Sequence, residues 1–122
     1  MVLGADGYLG WPLSLRLAKL HPDRSIVLVD NGLRRRLVAE VGGNSILPIA
    51  DLESRVEQAR RLHGFDNLEA ITMDVNSDAL EQLIKDRRPA SVYHLAQQCS
   101  AGYSMRDSRS ALLTLRNNEE GN

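Results

Sequence analysis

The stretch GADGYLG, residues 4–10, places glycines at positions 4, 7 and 10, and only three apolar residues precede it. Leucines at helical spacing follow, so the glycines lie where a short strand would lead into a helix. Because glycine has no side chain, such a loop lets backbone N–H groups at a helix N-terminus approach a pyrophosphate. Glycines also serve ordinary turns, and the interpretation therefore depends on the rest of the chain.

Apolar segments alternate with helical patterns along all 122 residues. The patterns predict strands near residues 1–3, 25–29, 68–73 and 91–96, and helices near 8–20, 52–62, 79–87 and 107–117. The stretch after Asp30 is interpreted as polar and irregular. This order predicts an α/β fold with a doubly wound parallel sheet of strand order 3-2-1-4. The predicted core comprises Leu3, Leu13, Leu17, Val27, Val29, Ile71, Met73, Val92 and Leu95.

Asp30 ends the second predicted strand, twenty residues after Gly10. A carboxylate there can accept two hydrogen bonds from the hydroxyls of an adenosine ribose, and it repels the 2′-phosphate of NADP. The sequence therefore predicts NAD as the cofactor, although Asp30 could instead serve only as a turn or cap. The arginines at 34–36 leave a second question open, because a guanidinium could hold a phosphate or lie on a solvated basic face.

Composition and charge argue against several other classes of function. The net charge of −1 gives no bulk attraction to nucleic acid or to an anionic membrane, and the sequence has no apolar run of ~20 residues and no charged-then-apolar leader. The single cysteine, Cys99, precludes an internal disulfide. His21 and His63 have no carboxylates at ligand spacing, so no metal site is predicted. We therefore expect a cytoplasmic protein of one domain that binds neither nucleic acid nor membrane.

Several motifs together resemble a known family. These are the glycine loop with Asp30, Asp74-Val75 after the third predicted strand, and Tyr93-His94-Leu95-Ala96 at the fourth. The combination is similar to the extended short-chain dehydrogenases/reductases, in the NAD-dependent epimerase/dehydratase family. VDNGLRRRL at 29–37, SILPIADLESRV at 45–56 and QQCSAGYSMRDSRSA at 97–111 resemble the branch that makes a sulfosugar nucleotide, as does the pair at 117–118. The resemblance covers essentially the entire chain and implies a Rossmann-type sheet.

The resemblance also implies which residues would form the site. It assigns the glycine loop to the pyrophosphate, the end of strand two to the ribose, the end of strand three to adenine and the end of strand four to the remainder of the cofactor. The implied cofactor-binding residues are Gly4, Asp6, Gly7, Tyr8, Leu9, Gly10, Asp30, Asn31, Arg34, Asp74, Val75, Leu95, Ala96, Gln97 and Asn118, of which Asn118 would steady the nearby backbone.

The implied substrate-binding residues are Cys99, Ser100 and Ser104, facing a nucleotide sugar. Cys99 stands where the sulfosugar branch has an arginine, and Gly102 where it commonly has a proline. A neutral thiol cannot form the charge-assisted bond that an arginine offers to an anion such as sulfite. Use of sulfite is therefore left open, with Arg106 or Arg109 as substitutes from nearby. His94 and the Cys99 thiol are interpreted as structural or idle rather than catalytic.

The Tyr-x-x-x-Lys pair that handles protons in this family does not occur in the sequence. Its tyrosines are Tyr8, Tyr93 and Tyr103, and its two lysines, Lys19 and Lys85, do not follow any of them by four residues. We therefore assign no catalytic residue and leave open whether the chain is an enzyme. The sequence predicts a truncated NAD-binding domain over residues 1–122, the amino-terminal half of a longer enzyme, inactive alone.

Such a half would meet the nucleotide sugar only in the full-length enzyme, completed by a carboxy-terminal chain or by a second copy. The alternative is a stand-alone NAD-binding module with a sensing or regulatory role.

Overall fold

A parallel four-stranded sheet carries the glycine loop at the carboxyl end of its first strand. The structure is a computed structural model that describes residues 1–120. Its strands are β1 (Val2–Leu3), β2 (Ile26–Asp30), β3 (Leu68–Thr72) and β4 (Tyr93–His94), and its helices are α1 (Gly10–Leu20), α2 (Leu33–Glu40), α3 (Leu52–His63), α4 (Asp78–Arg87), α5 (Ala101–Ser104) and α6 (Ser108–Glu120).

The strand order is β3-β2-β1-β4, and every neighbouring pair is parallel. In the register, Val2 lies beside Leu28 of β2 on one side and Tyr93 of β4 on the other. The predicted fold class and strand order are thus confirmed, as an incomplete Rossmann-like sheet.

Each face of the sheet has its own apolar cluster, because successive side chains of a strand point to opposite faces. On one face Val2, Leu28 and Leu68 pack with residues of α1 and α3. On the other face Leu3, Val27 and Val29 pack with Leu80 of α4. Burial of β2 on both faces, with residues 26–29 at most 7% exposed, agrees with its continuous apolar sequence.

Helix α1 packs on the sheet through small residues rather than through its leucines. Gly10, Ser14 and Ala18, spaced by four, are buried, whereas Leu13 and Leu17 are only half-buried. The Ser14 hydroxyl donates a hydrogen bond to the Gly10 carbonyl at 2.7 Å, so its polar atom is satisfied inside the contact. Of the predicted core positions in α1, Leu17 packs against the core cluster of this face, whereas Leu13 does not belong to it, because α1 faces the sheet through Gly10, Ser14 and Ala18.

The predictions also differ from the structure around β4. Only Tyr93–His94 pairs there, because the neighbouring strand β1 contributes only two residues to the ladder. Val92 and Leu95, predicted to lie in the core, are 43% and 36% exposed. Ile71 and Met73, also predicted for the core, are half-buried and pack against the cluster formed by Leu3, Val27 and Val29. The sequence also did not predict α2 or the short helix α5.

None of the helices within residues 1–120 is both long and apolar enough to cross a membrane.

Candidate functional site

Two glycines of the loop at residues 4–10 permit a close approach of backbone that no other residue would allow. Gly4 has a φ of 78°, and a Cβ built on it would lie 2.6 Å from the Ala96 nitrogen. A Cβ on Gly10 would overlap the Gly4 carbonyl oxygen. The glycines therefore bring the start of α1 and the end of β4 against the end of β1, which places the helix N-terminus at the sheet edge.

A cavity of about 580 Å³ opens at this edge, where the carboxyl ends of all four strands meet. Its volume lies within the range of small-molecule and cofactor sites, and its position is the one at which open α/β sheets bind ligands. The lining residues are Gly4, Asp6, Gly7, Tyr8, Trp11, Pro12, Asp30, Asn31, Gly32, Leu33, Arg34, Arg35, Val38, Ala39, Gly43, Asn44, Ser45, Ile49, Arg55, Met73, Val75, Leu95, Ala96, Gln97, Gln98 and Asn117.

The Asp30 carboxylate is fixed by two backbone donors. One oxygen accepts the Asp6 N–H at 3.0 Å, and the other accepts the Gly32 N–H at 2.7 Å. Each carboxylate oxygen has a further lone pair, so the group can still accept hydrogen bonds from a ligand hydroxyl. The neighbouring Asn31 side chain accepts the Leu33 N–H at 2.8 Å and thereby orders the start of α2.

Two arginines converge on the Asp6 carboxylate inside the glycine loop. Arg35 of α2 donates through Nη2 at 2.6 Å to Oδ1 and through Nε to Oδ2, and Arg55 of α3 donates through Nη1 at 2.8 Å to Oδ1. The hydrogen bonds that Arg35 donates to the Asp6 carboxylate raise the pKa of Arg35 above its usual value, and the negative charges of Asp6, Asp30 and Asp51 add to that rise. The Asp6 side chain is 8% exposed, whereas the Arg35 side chain is 38% exposed, so the carboxylate is buried and the guanidinium is partly open to solvent.

The three consecutive arginines of α2 have different surroundings. Arg35 additionally donates to the carbonyls of Ile49 and Ala50, both at 2.8 Å. Arg36 donates to the Asn31 carbonyl at 2.7 Å. Arg34 is exposed and lines the cavity, and within residues 1–120 its guanidinium has neither a hydrogen bond nor an ion pair. The triplet is therefore neither a uniform basic face nor a uniform phosphate cluster.

Paired asparagines of α6 hold the chain that follows β4. The Asn118 side chain accepts the Gln98 N–H at 2.8 Å and donates to the Gln98 carbonyl at 3.0 Å, while Asn117 donates to the Ala96 carbonyl at 3.3 Å. Residues 96–98 therefore have a fixed backbone beside the cavity.

Gln98 is 4% exposed, and its side-chain oxygen accepts the Ser100 N–H at 2.8 Å. Its Nε2 is buried without a hydrogen-bond partner in the described part of the chain. A buried donor without a partner is unusual, and this one can still donate to a water molecule or to a bound ligand.

Most of the residues implied for the cofactor lie together in the cavity. Those outside its lining are Leu9, Gly10, Asp74 and Asn118: Gly10 is buried beneath the loop, and the Asp74 side chain accepts the Asn76 N–H at 2.9 Å. The substrate-side residues Cys99, Ser100 and Ser104 also lie outside the lining. Cys99 is exposed, Ser100 caps α5 by accepting the Tyr103 N–H at 3.3 Å, and the Ser104 hydroxyl donates to the Ala101 carbonyl at 3.2 Å.

The sequence analysis did not assign Arg55 to the site and did not predict its contact with Trp11. Arg55 lies with its guanidinium carbon 4.2 Å from the centre of the Trp11 ring and also contacts Asp6. Trp11 was interpreted as a packing residue, and it does pack against the core, but it also supports this arginine. No local pattern could have revealed a contact between residues separated by 44 or 49 positions.

Comparison with known proteins bears directly on this site. The chain is 38% identical over 119 residues to a protein named UDP-sulfoquinovose synthase from Sulfolobus acidocaldarius, and the match covers 98% of this chain. The chain is similar to UDP-sulfoquinovose synthases. The chloroplastic UDP-sulfoquinovose synthase of Spinacia oleracea is 35% identical over 122 residues, covering 99% of this chain. The resemblance predicted from the motifs is thereby confirmed.

The chain spans less than a third of the length of these two relatives. The matched region spans 30% of the Sulfolobus protein and 25% of the spinach protein. This agrees with the predicted similarity to an amino-terminal part. No family model matches the chain.

Proposed function

We propose that this chain is the NAD-binding, amino-terminal portion of a nucleotide-sugar epimerase or dehydratase of the UDP-sulfoquinovose synthase type. The observation that carries the proposal is the meeting of the glycine loop and the fixed Asp30 carboxylate in one cavity at the carboxyl ends of the strands. Similarity to the named UDP-sulfoquinovose synthases supports the choice of enzyme class.

The residues present fit the chemistry of NAD. The glycine loop offers backbone N–H groups at the N-terminus of α1 to a pyrophosphate, and Asp30 offers its carboxylate to the adenosine ribose. Val75 lines the cavity for adenine, with Asp74 beside it, while Leu95, Ala96 and Gln97 border the opposite part. The buried, unpaired Gln98 Nε2 is a further donor at that end. When bound, NAD supplies hydride transfer.

The segment after β4 is the proposed substrate side. Ser100 and Ser104 carry hydroxyls and Cys99 an exposed thiol, and the paired asparagines anchor the backbone that leads to them. These groups suit a polyhydroxyl sugar of a nucleotide such as UDP-glucose, in a route to a sulfosugar. A sensing module would have no evident use for this segment, which favours the enzymatic portion over the stand-alone alternative.

NAD binding is the experiment that tests the proposal. Isothermal titration of the purified chain with NAD should give one saturable site. Gly7 lines the cavity, so Gly7→Val should obstruct it and weaken NAD at least about tenfold, the equivalent of a lost contact at the pyrophosphate. A Cβ at Gly102 would meet open space, so Gly102→Ala is the matched control and should leave NAD affinity unchanged. Absence of NAD binding by the folded chain would refute the proposal.

A further inference from the structure

Asp6 is the most heavily bonded residue of the glycine loop. Its N–H donates to Asp30, its carbonyl accepts from Arg55 at 3.3 Å, and its carboxylate accepts from both Arg35 and Arg55. Nothing in a glycine loop that binds pyrophosphate through its backbone requires a carboxylate at this position. The side chain therefore has a purpose other than holding the pyrophosphate.

The position of Arg35 suggests what that purpose is. Arg35 lies in the first turn of α2, five residues after Asp30, and both residues line the cavity. NADP differs from NAD by a phosphate on the adenosine ribose, the group that Asp30 is proposed to read. If its guanidinium were free, an arginine in this position could bind the 2′-phosphate through two parallel hydrogen bonds, and this contact would offset the repulsion from Asp30.

The Arg35 guanidinium is committed elsewhere. Asp6 accepts two hydrogen bonds from it, and the carbonyls of Ile49 and Ala50 accept one each. Three acceptors on two different segments thus hold the side chain toward the 49–50 segment and the glycine loop. The neighbouring Arg36 is bonded to the Asn31 carbonyl, so it is a similar cation without a carboxylate partner.

We propose that Asp6 is a specificity residue for the cofactor: by pairing with Arg35, its carboxylate denies the 2′-phosphate of NADP the guanidinium of Arg35. Arg34, whose guanidinium is free within residues 1–120, is the same in every variant compared below and therefore does not affect the comparison. This inference rests on the proposed function. Arg55 keeps the arrangement in place, because it holds the Asp6 carboxylate and carbonyl while stacking on Trp11. Loss of Arg35 would therefore still leave Asp6 with a cationic partner.

The test is the ratio of the dissociation constants for NAD and NADP, measured by titration calorimetry on the full chain. Asp6→Asn keeps a side chain of nearly the same shape but removes its charge, so Arg35 loses its carboxylate partner and is held only by neutral acceptors. This variant should shift the ratio toward NADP by roughly tenfold, the scale of one charge-assisted contact. Asp6→Glu preserves the charge and should keep the wild-type ratio.

Two double variants identify the cation responsible. Adding Arg35→Ala to Asp6→Asn should return the ratio to its wild-type value, whereas adding Arg36→Ala, which removes the same charge one residue away, should not. Affinities for NAD and NADP that fall together in Asp6→Asn, with no change in their ratio, would mean that Asp6 has only a structural role and would overturn the inference.

A variant that leaves Asp6 intact keeps the test decisive if Asp6→Asn does not fold, as judged by circular dichroism. Arg35→Ala in the wild-type background should leave the ratio within about twofold, because Arg35 is already held away from the ribose. A selective loss of NADP affinity in this variant would overturn the inference while leaving NAD binding intact. A wild-type chain that binds neither dinucleotide would instead refute the proposed function, and this inference with it.

Discussion

At the scale of single residues, Asp30 both orders the backbone around it and faces the cavity. Its carboxylate accepts the N–H groups of Asp6 and Gly32, so it orders the loop around it, and it presents the remaining lone pairs to the cavity. The interpretation of Asp30 as a mere turn residue and its interpretation as a ribose ligand are therefore compatible. The same oxygens serve the loop and remain open to a hydroxyl.

Replacement of Asp30 by alanine should weaken NAD binding by about 1 to 3 kcal/mol, through lost charge-assisted hydrogen bonds, and should reduce the preference for NAD over NADP. Calorimetry with both dinucleotides measures the two effects. Asp23→Ala removes an exposed carboxylate from the turn at the opposite end of β2 and is the matched control, expected to bind as wild type. Equal losses in the two variants would contradict a specific role for Asp30.

The residue scale also marks the limit of what the sequence could predict about the site. Gly4, Gly7, Gly10 and Asp30 were predictable because their spacing follows from local backbone geometry at a strand–helix junction. The pairing of Asp6 with Arg55 was not, because it joins residues 49 positions apart and depends on how α3 packs against α1. Such contacts exist only once the tertiary fold has formed.

At the scale of elements, burial explains both the successes and the failures of prediction. Strands β2 and β3 were found because continuous or alternating apolar residues mark them. Helix α2, with the sequence LRRRLVAE, buries only Leu37, so it lacks the apolar periodicity that would have identified it. Strand β4 is shorter than predicted because its partner β1 is short, a fact that no property of residues 91–96 reveals.

The N-cap of helix α3, Asp51, should make the stability of the fold depend on pH. The Asp51 carboxylate accepts the Ser54 N–H at 2.8 Å, and this hydrogen bond lowers the pKa of Asp51 below its ordinary value of 3.8. A carboxyl group whose pKa is lower in the folded state stabilises the fold above its unfolded pKa, and that contribution is lost as the pH falls through the folded pKa.

Asp51→Ala should therefore lower the melting temperature by a few degrees at pH 7, as expected for loss of a helix cap. The difference from wild type should persist down to about pH 4 and shrink below it, as Asp51 itself becomes protonated. Thermal unfolding followed by circular dichroism from pH 7 to 3 measures this. Asp66→Ala, in the exposed turn after α3, is the matched control and should melt as wild type at pH 7. A gap that stays constant down to pH 3 would contradict the assignment.

At the scale of the whole molecule, the described residues form a sheet whose β4 edge has no further strand beside it. Val92, Tyr93 and Leu95 are 43%, 40% and 36% exposed along this edge. An unpaired strand with exposed apolar side chains is a site for pairing with another chain. A complementing polypeptide or a second copy of this chain would suit it, in keeping with the proposal that the chain is one portion of a larger enzyme.

The proposal also predicts that the chain alone does not turn over a nucleotide sugar. No tyrosine in it has a lysine four residues later, so a sugar hydroxyl would lack the general base that commonly contributes ~10²- to 10⁴-fold to the rate. Positioning of the sugar over a bound dinucleotide can lower a barrier by about 7 to 11 kcal/mol, and the described residues offer only the open cavity edge for that purpose.

Incubation of the purified chain with NAD, UDP-glucose and sulfite, followed by mass spectrometry, should therefore yield no new nucleotide sugar, whereas NAD binding should be retained. The full-length spinach UDP-sulfoquinovose synthase, assayed in parallel, is the positive control for the detection. Adding a polypeptide that supplies the Tyr-x-x-x-Lys region should restore turnover if the β4 edge is where the two portions join, and charged substitutions at Val92 and Leu95 should then prevent the restoration. Turnover by the pure, monomeric chain would show that its own residues supply the proton transfer, and the proposed division of the enzyme would be wrong.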